Sequence, residues 1–153
     1  MTVSLNRRQA LALGAGAAAL FLTVGPRGEA FAASDDVKKA IMDFTGGKEP
    51  ATGKVELTAP EIAENGNTVP MSVSVESPMT SDDYVASVLL LAAGNPNPGV
   101  ATFHFSDMSG ECAASTRMRL AKTQDVIAVA KMADGSVFID TKTVKVTIGG
   151  CGG

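Results

Sequence analysis

The chain has 153 residues, which is enough for one domain and short for two. It carries 13 basic and 16 acidic residues, for a net charge of −3. Nucleic acid and anionic membranes are therefore disfavoured as partners, because both require a basic surface.

Residues 1–32 have the pattern of a secretory leader. Arg7 and Arg8 precede an uncharged run rich in Ala, Leu and Gly, and a small-residue cleavage pattern follows at Ala30-Phe31-Ala32. The paired arginines favour the twin-arginine (Tat) route, with ordinary export as the alternative. The apolar run is about 16 residues long, shorter than the roughly 20 of a membrane-spanning helix. We therefore expect a cleaved signal peptide, a periplasmic protein, and no membrane contact after cleavage.

Removal of this leader makes the chain more acidic. The leader holds three of the 13 basic residues and one of the 16 acidic ones, so the remaining net charge is −5. This charge fits a soluble periplasmic protein and indicates nothing more specific.

A single helix and a series of short strands are predicted for residues 33–148. Ser34 can cap a helix that has Val37 and Phe44 on one face, and Gly46-Gly47 ends it. After Gly53, short apolar segments alternate with turn residues, as is typical of strands. The predicted strands are 54–58, 68–76, 84–93, 100–105, 112–120, 125–132, 136–140 and 143–148.

Short strands without βαβ alternation predict an all-β protein, an antiparallel β-sandwich with a short N-terminal helix. Segments 85–91 and 126–130 are apolar on both faces. Two readings are open for them: the strands are central and covered, or another chain covers part of one sheet. The second reading makes this sheet face a candidate partner site.

The sequence contains no metal-binding or catalytic constellation. His104 is the only histidine, and strand parity groups it with polar neighbours at the surface. Cys112 shares strand parity with apolar residues and is predicted to be a small buried hydrophobe with an inert thiol. We therefore predict no catalytic residue, no metal and no cofactor.

Cys151 lies in different surroundings. It is flanked by Gly149 and Gly150 on one side and by Gly152 and Gly153 on the other. A cysteine among glycines after the last strand has no packing role, and its neighbours let it enter a narrow pocket. We predict that residues 149–153 form a flexible arm that presents the Cys151 thiol. Bulky replacements at Gly149 and Gly150 are then expected to slow transfer far more than they alter stability.

The glycine-cysteine tail resembles that of the SoxY family, the sulfur-carrying subunits of the bacterial thiosulfate-oxidising (Sox) system. The likeness extends to the twin-arginine leader, to the segment from Pro60 to Pro70, and to Gly94-Asn95-Pro96-Asn97-Pro98. It covers essentially the whole chain after the leader.

The resemblance implies an immunoglobulin-like sandwich paired with the subunit SoxZ as a heterodimer. It also implies that Cys151 carries the oxidation intermediates covalently. SoxXA, a haem enzyme, would load the sulfur as a cysteine S-thiosulfonate; SoxB, a manganese hydrolase, would release sulfate; and SoxCD would oxidise the remaining sulfur. The resemblance assigns no role to Cys112 and leaves open whether this second thiol traps the arm as a disulfide.

Three classes of function compete for this pattern. The leading one is a covalent carrier that is not itself an enzyme. The alternative is a thiol-redox or sulfurtransferase enzyme with Cys151 as nucleophile, which the absence of a nearby base or Cys-x-x-Cys motif disfavours. A third class, an adhesion or binding sandwich, leaves the glycine-cysteine tail without a role.

Overall fold

A computed structural model describes residues 34–150, and the predicted leader, 1–32, lies outside this range. The described residues contain one α-helix, one 3-10 turn and nine strands. The helix α1 is Asp35–Thr45 and the 3-10 turn is Asp107–Ser109. The strands are β1 Ala51–Thr52, β2 Val55–Thr58, β3 Ile62–Asn65, β4 Val69–Val75, β5 Val85–Ala92, β6 Gly99–His104, β7 Cys112–Met118, β8 Gln124–Met132 and β9 Val137–Ile148. No helix in this range is long and apolar enough to cross a membrane.

The strands form two sheets, as the sequence predicts. The larger sheet has the order β1-β9-β8-β5-β6, with β3 also paired to β9, and the smaller has the order β2-β4-β7. Each sheet contributes one apolar face to a shared core. In β4, for example, every second residue from Val69 to Val75 is buried, which is the pattern of a strand with one solvated face. The prediction of a β-sandwich is confirmed.

Helix α1 covers the outer face of the larger sheet. Ser34 caps it by accepting a hydrogen bond from the Val37 amide, and Gly46 ends it with a left-handed backbone (φ 68°). Val37 is fully buried and packs in one cluster with Leu91, Ile127 and Val129.

This helix explains the strands that are apolar on both faces. β5 and β8 are central, with one face in the core and the other under α1. Of the two readings left open by the sequence, the covered central strands are correct. These strands therefore give no reason to expect a partner on that sheet face.

Two features of the sheet differ from the prediction. Segments 136–140 and 143–148 are one continuous strand, β9. The polar residues between them also pair with β8, and Thr141, for example, lies opposite Ile127. The short strands β1 and β3 were not predicted, and both pair with β9 in parallel, whereas the other pairings are antiparallel. The pairing of β3 with β9 matters most, because it brings residue 65 beside residue 148 at the end of the last strand.

Candidate functional site: the root of the C-terminal tail

The tail leaves the domain where three connections meet. These are the β3–β4 turn at Gly66, the β5–β6 turn at Asn95, and the β7–β8 connection at Leu120-Ala121. Gly149 and Gly150 follow β9 and lie against two of them. Cys151, Gly152 and Gly153 lie outside the described residues.

Backbone hydrogen bonds hold the root of the tail. The Gly66 amide donates to the Ile148 carbonyl (2.7 Å), and the Leu120 amide donates to the Gly66 carbonyl (2.8 Å). The Gly150 amide completes the set by donating to the Leu120 carbonyl (2.9 Å). Gly150 is buried. Three segments that are distant in sequence are thus linked through three hydrogen bonds. We call Gly66, Leu120, Ala121, Gly149 and Gly150 the tail socket.

The glycines of the socket are required by close approach of backbone to backbone. A Cβ atom on Gly150 would lie 2.7 Å from the Gly66 carbonyl oxygen, closer than real Cβ contacts come. A Cβ atom on Gly149 would collide with the Ala121 carbonyl oxygen, and one on Gly66 would collide with the Leu120 carbonyl oxygen. Backbone atoms cannot rotate away as a flexible side chain can, so these sites accept only glycine without rearrangement.

The socket modifies the picture of a flexible arm that begins at Gly149. Gly149 and Gly150 do not extend away from the domain, because the bonds and contacts described above attach them to it. The tail is thus attached to the domain as far as Gly150, the last described residue.

A polar network around the buried Gln124 fixes the β7–β8 connection that receives the tail. The Asn95 Nδ2 group donates to the Arg119 carbonyl (2.8 Å), and its Oδ1 atom accepts from the Ala121 amide (3.0 Å). Gln124, only 1% exposed, donates from Nε2 to the same Oδ1 atom (2.9 Å) and accepts from the Gly94 amide (2.7 Å). Such satisfied buried groups rigidify their surroundings. Asn95 and Gln124 therefore hold the socket in a defined position.

Cys112 is buried (4% exposed) and lies at the opposite end of strand β7 from the socket. Burial raises the pKa of its thiol to about 11, so the thiol is protonated and unreactive near neutral pH. The seven residues of β7 span about 20 Å, whereas a disulfide requires Cα atoms within about 7 Å. The socket thus lies well beyond disulfide range of Cys112. The predicted burial of Cys112 is confirmed.

The other polar candidates do not form a reactive site. His104 is exposed, as predicted, at the end of β6. Gly99 is at the start of that strand and lines the same cavity as Arg119, the residue before the socket. His104 is at the other end of the strand, roughly 17 Å from Gly99. The histidine is therefore distant from the socket. Within residues 34–150, no three His, Cys, Asp or Glu side chains are grouped closely enough to hold a metal ion.

The family model for the sulfur oxidation protein SoxY matches residues 41–151. This chain belongs to the SoxY family. The match begins within α1, covers both sheets and ends on the cysteine of the tail. SoxY proteins are sulfur carriers of the sulfur-oxidising Sox system, and this chain is a sulfur-carrier protein of that kind.

Similar solved structures agree with the family. The sulfur carrier protein SoxY from Chlorobium limicola f thiosulfatophilum is 28% identical, with a TM-score of 0.64 over 74% of this chain and 94% of that one. A superoxide reductase (neelaredoxin) variant from Ignicoccus hospitalis is 19% identical, with a TM-score of 0.56 over 63% of this chain and 82% of that one. A putative superoxide reductase from Thermotoga maritima is 17% identical, with a TM-score of 0.54 over 68% and 90%. The reductases share the fold alone. No curated protein sequence matches the chain.

The sequence predicted a role for Cys151, which stays a prediction, and it gave no indication of the socket at the root of the tail. Gly66 and Asn95 lie in the two segments that carried the family resemblance. Their role at the tail root depends on contacts that the sequence does not show: Gly66 contacts Leu120 and Gly150, and Asn95 bonds to Gln124. The signal available in the sequence was the glycine at each close approach, and a glycine alone does not reveal which backbone it faces.

Proposed function

We propose that this chain is exported to the periplasm and there carries thiosulfate-derived sulfur covalently on Cys151, presenting it to the Sox enzymes. The observation that carries the proposal is a cysteine joined directly to a tail root that the domain holds in place. The domain then provides a stable body for enzymes to recognise, and the cysteine extends beyond it. Membership of the SoxY family supports this assignment.

The partners follow from the same family. We propose a heterodimer with SoxZ, loading of Cys151 by SoxXA, release of sulfate by SoxB, and oxidation of the remaining sulfur by SoxCD in hosts that have it. The sheet face under α1 plays no part in this proposal, since the chain covers that face itself.

The histidine and the second cysteine of the domain both lie far from the tail root. A nucleophilic cysteine commonly uses a base such as histidine, and a redox cysteine needs a resolving thiol. In the described residues, His104 lies at the far end of β6 and Cys112 lies at the far end of β7. These distances favour the carrier over the thiol-redox or sulfurtransferase alternative.

Replacement of the cysteine tests the proposal. Cys151→Ser is expected to abolish thiosulfate-dependent activity of the reconstituted Sox proteins, because it removes the attachment atom and leaves the core intact. Thermal unfolding and binding to SoxZ should match those of the unchanged protein, with Cys112→Ser as the control that keeps activity. Normal turnover by Cys151→Ser would contradict the proposal.

A further inference from the structure

Strand β7 is an open edge of the smaller sheet. It pairs with β4 on one side, and on the other side it has no neighbouring strand among the described residues. Natural edge strands are commonly protected from further pairing by proline, lysine, a bulge or short length. β7 has seven residues in unbroken register with β4, and its first five, Cys112 to Thr116, include neither proline nor a charged side chain. The edge therefore lacks the usual protection against pairing with another strand.

The odd-numbered residues of β7 direct their backbone groups toward this open edge. In an antiparallel sheet, consecutive residues direct their N–H and C=O groups alternately to one neighbouring strand and to the other. The Glu76 amide, just after β4, donates to the Lys54 carbonyl (2.7 Å) on the β2 side. The alternate residues of β4, such as Val75, therefore bond to β7, where Val75 lies opposite Cys112. The even-numbered residues of β7 thus bond to β4, and the outward backbone groups belong to the odd-numbered ones.

The same odd-numbered positions carry opposite charges at the two ends of the strand. Glu111 precedes β7, Arg117 lies near its end, and Arg119 follows it. Ala113 and Ser115 lie between them, and all five residues are exposed. None of the three charged side chains makes an ion pair with another described residue. The exposed row along β7 is therefore acidic at one end and basic at the other.

A two-fold axis through the midpoint of β7 matches these charges. Ser115 is the central residue of the strand. In a second copy paired antiparallel about this residue, Ser115 lies opposite Ser115, Ala113 opposite Arg117, and Glu111 opposite Arg119. Outward backbone groups then meet outward backbone groups, as an antiparallel ladder requires. Opposite charges meet as well, once on each side of the axis.

A cavity beside the basic end of the edge leaves room for the incoming carboxylate. Its volume is about 280 Å³, and Arg117 and Arg119 line it together with Met118 and residues between Asn95 and Val100. No Asp or Glu is among the lining residues. The planar guanidinium group presents a fork of donors that matches a carboxylate. The second copy thus supplies the acidic partner that these arginines do not have within their own domain.

We propose that the open edge of β7 binds a second copy of this chain by antiparallel strand pairing about Ser115. The two smaller sheets then form one continuous sheet, in the order β2-β4-β7-β7-β4-β2. The proposal goes beyond the carrier function, and the pairing uses no residue of the tail.

Reversal of the charges tests the pairing and its register. Association is measured by analytical ultracentrifugation in a Cys151→Ser background, which excludes disulfides through the tail. Glu111→Arg places like charges opposite each other on both sides of the axis and should weaken the dimer at least roughly tenfold. Glu111→Arg/Arg119→Glu exchanges the two charges and should restore association. Glu111→Arg/Lys39→Glu has the same net charge, with the new acid on the exposed face of α1, and should remain weak.

Two cysteine variants test the geometry. Ser115 and Ser72 lie opposite each other on one exposed sheet face, with their Oγ atoms 2.9 Å apart. In a Cys112→Ala/Cys151→Ser background, Ser115→Cys places two thiols at the axis on strands about 4.8 Å apart, and a short thiol cross-linker should join them. In Ser72→Cys the two thiols lie three strand spacings apart, roughly 14 Å, and should stay unlinked.

Several results would overturn the pairing. They are a monomer at every concentration, a charge exchange that does not restore association, and equal cross-linking of the two cysteine variants. Addition of SoxZ decides the occupant of the edge. If SoxZ dissociates the dimer and Glu111→Arg weakens the SoxZ complex, the edge belongs to SoxZ and the proposal is wrong. Failure here leaves the carrier function intact, because that function is tested by natural adducts on Cys151.

Discussion

At the scale of single residues, two glycines of the tail are required by the contacts of the tail root. Gly149 and Gly150 allow close approach to the backbone of the β3–β4 turn and the β7–β8 connection. The first half of the five-residue motif thus anchors the tail to the domain.

Gly150→Ala is therefore expected to destabilise the domain, in contrast to the expectation from sequence alone. The added Cβ atom would lie 2.7 Å from the Gly66 carbonyl oxygen, and relief of this contact would break the bond from Gly150 to Leu120. Overpacking of this kind costs roughly 1–3 kcal/mol in the free energy of unfolding. Urea denaturation should show the loss for Gly150→Ala and none for Gly153→Ala; equal stability of the two variants would show that the socket is not needed for the fold.

The Cys112 thiol should contribute a specific pH dependence to stability. Burial raises its pKa from 9.0 to about 11, so between these values the folded protein keeps the proton that the unfolded chain loses. The unfolded state then binds fewer protons, and the free energy of unfolding falls as the pH rises from about 9 to 11. The stability is fully present below pH 9.

Comparison with Cys112→Ala isolates this contribution, since Lys and Tyr titrate in both proteins. Denaturation of the two proteins between pH 8 and 11 should show a steeper loss for the chain that has Cys112. Parallel curves would mean that the thiol is exposed in the folded state.

At the scale of secondary structure, the sequence predicted the elements whose side chains alternate in polarity or follow helical spacing. Helix α1 and seven of the strands have such patterns. Strand β3 has only one buried residue, Ala63, and forms through its backbone pairing with β9. A pairing of this kind leaves no side-chain pattern, which is why β3 and the neighbouring socket were not predicted.

Strand β9 shows the opposite error. The prediction left residues 141–142 between two strands, yet β8 pairs with the chain on both sides of these residues and through them. Asp140 also accepts a hydrogen bond from the Leu57 amide (2.9 Å), which joins β2 to β9. The two exposed polar residues Thr141 and Lys142 resemble turn residues when only their sequence is seen.

The packing of α1 on the larger sheet gives the next prediction. Val37→Asp places a charge in the cluster with Leu91 and Val129 and should destabilise the protein by roughly 3 kcal/mol or more. Lys39→Asp introduces the same side chain at an exposed position of the helix and should change stability by about 0.5 kcal/mol at most.

Thermal unfolding and size-exclusion chromatography check this prediction together. The Val37 variant should expose the sheet face and self-associate, whereas the Lys39 variant should elute like the unchanged protein. Identical elution and unfolding of both variants would mean that α1 does not cover the sheet in solution.

At the scale of the whole molecule, the residues that stabilise the fold are separate from the residue proposed to carry the chemistry. The core between the sheets, the covering helix and the socket are built from residues 34–150, while Cys151, the proposed attachment residue, follows them in the sequence. The sequence singled out Cys151 because its surroundings lack any packing role. It could not reveal the socket, because the socket brings together residues more than 15 positions apart.

The central claim, that Cys151 holds the cargo covalently, is tested most directly by mass spectrometry of the protein isolated from cells that are oxidising thiosulfate. The account predicts adducts of sulfur and oxygen that localise to the C-terminal peptide containing Cys151, disappear on reduction and are absent from Cys151→Ser. Cys112, in the same sample, should be unmodified. A protein whose Cys151 remains free during active thiosulfate oxidation, or whose adducts lie on Cys112, would contradict the account.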